Sequence, residues 1–150
     1  MTVIDEQGRP EPPVAAGEAE TLIGFLEFHR STLEWKCSGL DAGGLRSRLG
    51  ASTMTLGGLL KHLAYVEDIW FTHRLHGGER AAVWQSAPFD TDPDWDWTSA
   101  ADDSPEELWA LWREAVDRSR RFLAEALRTG GLDQPAERPM RDGRVPSARW

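Results

Sequence analysis

The chain has 150 residues, a formal net charge of −8 and 40% hydrophobic residues, the balance of one soluble globular domain. That acidity excludes the basic face needed to neutralise phosphate, so nucleic acid is not an expected partner. No basic amphipathic helix and no apolar run near ~20 residues is present, so no membrane partner is expected either.

Cys37 is the only cysteine, which rules out an intramolecular disulfide and a cysteine metal cage and suits a reducing, cytoplasmic location. The opening MTVIDEQGRPEPP lacks the basic start and apolar core of a signal peptide. Residues 1–17, polar and rich in Pro and Gly, read as a flexible N-terminal arm, and residues 18–150 as one helical domain. Helix 1 is expected over 18–39, with Leu22, Leu26, Leu33 and Leu40 at helical spacing and His29 near the middle of that stripe. Cys37 reads as a packing residue near its end. A connector with Gly43, Gly44 and Gly50 follows.

Helix 2 is expected over 55–76. Thr55 is its N-cap and Gly77-Gly78 its stop. On a helical wheel Leu56, Leu60, Leu63, Glu67 and Trp70 share the central stripe, and His62 stands at its edge beside Leu59, Val66, Ile69 and His73. Lys61, Tyr65 and Asp68 fall opposite and are expected in solvent. Glu67 within an apolar stripe is costly unless paired or ligated. Two readings of His62 are open: a hydrogen-bonded boundary histidine, or a metal ligand with an acidic neighbour. One histidine does not hold a transition metal, since a catalytic zinc site uses three protein ligands. Antiparallel packing of helices 1 and 2 would bring His29 within about two turns of His62. His73 and His76 have the i,i+3 spacing to share an ion, but they lie in the last turn, where a cationic histidine suits the negative end of the helix dipole, and that reading is preferred.

The irregular segment 79–103 is long enough to cover a face or border a pocket. Its Asp90, Asp92, Asp94 and Asp96 alternate as in a calcium loop, but the positions that need Gly and Glu hold Trp95 and Ala101, so an acidic surface loop is expected. Trp95 and Trp97, with Trp70, are candidates to shape an apolar pocket over the bundle mouth. Ser52 and Thr53 have no His and Asp partners for a triad. Helix 3 is expected over 104–129, opened by the capping box Ser104-Pro105-Glu106-Glu107 and closed by Gly130-Gly131. A loop follows, and Ser147 in PSARW reads as the cap of a further helix. Amphipathic helices of this length bury their stripes against one another, which gives an up-down bundle.

HRSTLEWKCSGL, MTLGGLLKHLAYVEDIWF, DPDWDWTSAADDSPEEL and the closing GRVPSARW resemble the DinB/YfiT-like superfamily, in particular its actinobacterial mini-circle-protein-like branch. The resemblance covers most of residues 18–150. It implies an all-α DinB-like four-helix bundle with a long crossover, and a divalent metal, zinc or nickel, held by three histidines. His62 matches the helix 2 ligand. The other two belong to a His-xxx-His pair on a fourth helix, and no His follows His76. The expectation is therefore three long helices with the fourth truncated, or a protein without the family metal site; in either case this chain does not coordinate the metal fully. Glu67 and His29 are the additional site candidates. Relatives use mycothiol or bacillithiol, which implies a metal-dependent thiol S-transferase with a small-molecule or thiol substrate. The competing class is a non-catalytic helical binding or assembly module. An incompletely covered bundle is also expected to form a homo-oligomer, most simply a dimer.

Overall fold

A computed structural model describes residues 2–150, and it is helical, with no named strand among them. It contains six α-helices: α1 (Glu18–Cys37), α2 (Ala42–Arg46), α3 (Leu56–Glu67), α4 (Ala82–Gln85), α5 (Trp95–Thr98) and α6 (Pro105–Thr129). A π-helical segment, Asp68–Leu75, continues α3, and short 3-10 turns span Ser99–Asp102 and Gly131–Asp133. Among the described residues no helix is long and apolar enough to cross a membrane. The chain divides into two compact units, one ending at Asp41 and the other running from Ala42 to Trp150.

In the first unit, residues 2–17 lie along α1. Asp5 accepts the backbone N–H groups of Gln7 and Arg9 at 2.9 and 2.8 Å and the Arg9 Nε–H at 2.8 Å, closing a tight turn. These bonds, the Arg9 N–H first, hold the Asp5 carboxyl below its usual range. Arg9 then spreads over the Phe28 and Trp35 rings and donates to Thr32 Oγ1 at 2.9 Å. Pro13 approaches α1 so closely at Gly24 that a Cβ there would stand 2.4 Å from its Cδ. Helix α1 stops at Cys37, two residues short of the sequence expectation, where Ser38 turns to extended backbone.

In the second unit α3 packs on α6. Leu60 and Ala64 from α3 and Leu108, Trp112, Ala115 and Val116 from α6 are each at most 2% exposed and form the core. Both helix starts are chemically defined. Thr55 Oγ1 accepts the Gly58 N–H at 2.9 Å. Ser104 and Glu107 exchange hydrogen bonds at 2.7 and 3.2 Å, and the Ser104 N–H keeps the Glu107 carboxyl below its usual range.

Three expectations are corrected. The single α-helix over 55–76 ends at Glu67, beyond which the backbone widens to the π pattern, as in His76 N–H to Phe71 C=O at 3.1 Å. Ser147 caps no helix: it bridges to Pro135, flanked by Ala136 N–H to Pro146 C=O and Ala148 N–H to Gln134 C=O, both 2.8 Å.

Lys61, Tyr65 and Asp68 do not face solvent. The segment 79–103 folds onto that side of α3, so that Lys61 pairs with Asp103 and Asp68 accepts the Ala81 N–H, while Arg118 of α6 pairs with Asp68 as well. Tyr65 stacks on Phe89 and tilts against Trp84, the largest fully buried side chain. A helical wheel registers only that these three share a face. Once a connector covers that face, pairing makes the burial of its charges tolerable.

Candidate functional site

The site residues of α3 are placed by what approaches the helix start. Gly57 and Gly58 carry no side chains, which allows the chain to pass close. A Cβ on Gly57 would stand 3.1 Å from the Leu45 carbonyl, and one on Gly58 3.1 Å from the Trp97 carbonyl. Glycine in a helix costs about 1 kcal/mol relative to alanine, and here that cost buys contact with α2 and α5. One turn beyond Gly58 on the same face comes His62.

His62 is half-buried, and its Nδ1 lies 2.6 Å from Asp96 Oδ2, whose side chain is 4% exposed. Its ring stacks on Trp97, with centroids 4.1 Å apart and planes 18° from parallel. Carboxylate and indole together fix the orientation of the imidazole. A carboxylate at Nδ1 selects the tautomer with Nδ1–H, which leaves the lone pair on Nε2. That nitrogen can accept a proton or bind a metal ion.

Trp97 is also a wall of a cleft of about 580 Å³, lined further by Leu45, Arg46, Arg48, Ser52, Thr53, Met54, Thr55, Gly58, Asp94, Thr98, Ala100 and Ala101. Beside it Lys61 points its ammonium 4.4 Å above the Trp95 ring and within 2.5 Å of Asp103. Trp95 in turn meets Trp84 and Phe89 edge-on. Trp95 is therefore part of the wall that holds Lys61, and Trp97 is the ring that meets both His62 and the cleft.

The other sequence candidates have surroundings of their own. Glu67 is buried on α3, about 140° around the axis from His62. Trp70 lies in the π-helical segment against Trp150, away from Trp95 and Trp97. His29 belongs to the first unit, with its ring edge-on to Phe28. His73 Nδ1 faces the Gly78 carbonyl at 3.2 Å, and His76 stacks on Phe122. Cys37 is fully buried, and burial pushes its thiol up to about 11. Asp96 was legible only as one member of an acidic run. No local signal marks it as the partner of a histidine 34 positions away.

Among the described residues, no three His, Cys, Asp or Glu side chains converge on a point that could hold a metal ion. His62 and Asp96 by themselves do not make a coordination sphere.

No curated protein and no solved structure matches the chain. A family model described as mycothiol-S-transferase matches residues 21–150, a span that includes His62, Asp96, Trp97 and the cleft. The chain belongs to this mycothiol-S-transferase family, a DinB/YfiT-like family.

Proposed function

We propose that the protein is a thiol S-transferase that uses a small-molecule thiol of the mycothiol type, with the reaction at the Trp97 cleft beside His62. The observation that carries this reading is the 2.6 Å contact between His62 Nδ1 and Asp96 Oδ2. Family membership supplies the reaction class. Zinc or nickel is the ion that the resemblance implies, and it would lower the pKa of a bound thiol. The described donors offer one ligand, His62, and so do not fit the ion by themselves.

The residues present support a proton-transfer route. The thiol S–H gives its proton to His62 Nε2. Asp96 stabilises the imidazolium that forms, and the Trp97 face adds a cation–π contact. The thiolate, the nucleophilic form, attacks an electrophilic acceptor in the cleft and forms the new bond from sulfur. The proton held by His62 then passes to the departing group.

The test combines elemental analysis with turnover of mycothiol and an electrophilic acceptor such as monochlorobimane. Wild type should turn over, and His62→Ala should lose most of that activity. Any zinc or nickel held stoichiometrically should be lost with it, which would identify His62 as a ligand. Turnover that survives His62→Ala would refute the assignment. Tight thiol binding without turnover in wild type would instead make the protein a binding module.

A further inference from the structure

The π-helical segment builds a second cavity, its helical lining residues 8 to 13 positions beyond His62 along the chain. Its volume is about 400 Å³, within the range of small-molecule pockets. Trp70, Phe71, Leu75, Pro146 and Trp150 form apolar walls, and Arg74 is the one charged residue that lines it. The Trp70 and Trp150 rings are 5.0 Å apart at their centroids and inclined by 50°, leaving an aromatic mouth and not a closed stack. Trp70, Phe71, Arg74 and Leu75 all come from the π-helical segment, and such widened turns recur at functional sites.

Arg74 supplies the second, independent observation. Its Nη1–H donates to the Pro139 carbonyl at 2.5 Å, and its guanidinium carbon lies 5.3 Å from the centre of the Trp70 ring. These contacts hold the planar head in place. Its Nε is buried and has no hydrogen-bond partner among the described residues. A buried guanidinium donor without an acceptor is expensive to leave so. The edge formed by Nε and Nη2 is the edge on which arginine receives a carboxylate through two parallel bonds. Nη1 is held by the Pro139 carbonyl and Nε is shut off inside the protein, so Nη2 is the nitrogen that Arg74 leaves open where it lines the apolar cavity.

We propose that this cavity binds a small molecule that joins a flat apolar body to a carboxylate. The body lies against Trp70 and Trp150, and the carboxylate takes the Nη2–H of Arg74. The site is separate from the His62 cleft and does not depend on the transferase reading.

The probes are 1-naphthoate and its neutral counterpart 1-naphthalenemethanol, titrated into the full chain by calorimetry and tryptophan fluorescence. One naphthoate per chain should bind, and the alcohol should bind at least about tenfold more weakly. Arg74→Met should weaken naphthoate by about tenfold or more and leave the alcohol unchanged. Ala148→Leu, which fills the cavity from its half-exposed rim, should weaken both, with circular dichroism reporting that each variant keeps its helices. Should Arg74→Met not fold, the naphthoate–alcohol comparison in wild type and the Ala148→Leu variant decide. Equal affinity for acid and alcohol would overturn the proposal, as would naphthoate binding that survives Arg74→Met, or none up to about 1 mM. Dimerisation that buries Trp150 and is indifferent to naphthoate would assign the face to a second chain and overturn it too.

Discussion

Asp96, on α5, reaches across 34 positions of sequence to place its Oδ2 2.6 Å from the Nδ1 of His62 on α3. The carboxylate is almost wholly buried and the imidazole half-buried, so each depends on the other for different reasons. Asp96 needs a partner because its charge is out of water. His62 needs one to hold a tautomer. Asp96→Asn keeps the shape but can present an amide N–H where a carboxylate oxygen was. It should lower transferase activity by about 10–100-fold while costing little stability. His62→Ala strands a buried carboxylate and should cost roughly 1–3 kcal/mol, less than a fully buried pair because the histidine is partly solvated. Urea melts with parallel activity assays check both. Equal stability of the two variants would show that Asp96 does not rely on His62.

Gly58 gives a second test. Alanine there should gain about 1 kcal/mol of helix propensity. It would also bring a methyl to 3.0 Å from Thr55 Oγ1 and 3.1 Å from the Trp97 carbonyl, closer than most real Cβ contacts. Because the second neighbour is backbone, α5 must shift, and the stack of Trp97 on His62 shifts with it. Gly58→Ala is expected to be near-neutral or destabilising overall and to impair the cleft more than it impairs the fold. A variant more stable than wild type and equally active would mean that the close approach is not needed.

Cys37 is fully buried, and its thiol is raised to about 11 from a reference value of 9.0. A raised folded-state pKa favours the protonated form in the native protein. Its contribution to stability is therefore complete below about pH 9 and is lost as pH rises from about 9 toward 11. The stability of wild type should fall more steeply over that window than that of Cys37→Ala. A thiol reagent at pH 8 should label Cys37 only after denaturant is added. Rapid labelling of the native chain would contradict the burial.

On α1, Leu22 and Phe25 stand one turn apart and are 44% and 52% exposed. Large apolar side chains adjacent on one helix face are the sort of surface that a second chain covers. Light scattering is expected to give a dimer, and the double substitution Leu22→Glu and Phe25→Glu a monomer with the same helical spectrum. A monomeric wild type would remove this expectation.

Much of the helical order was legible because its causes are local. The capping box at Ser104, the cap at Thr55 and the stop at Gly77 each act within a few residues, and the structure has all three where the chain places them. At Gly77 the backbone adopts φ +77°, which a residue with a side chain rarely takes. His62 was legible as an edge residue because its neighbours at helical spacing define that edge. What periodicity does not carry is the identity of the covering surface. Lys61, Tyr65 and Asp68 read as a solvated face because a helical wheel sees only its own helix. Their partners Asp103, Phe89 and Arg118 come from later in the chain, the two charged ones 42 and 50 positions away. The same holds for Asp96 and His62. By itself the sequence determined that the chain is helical and where the helices at Thr55 and Ser104 begin. Only the tertiary structure decided which charged and aromatic groups meet, because those contacts depend on where segment 79–103 and α6 come to rest against α3.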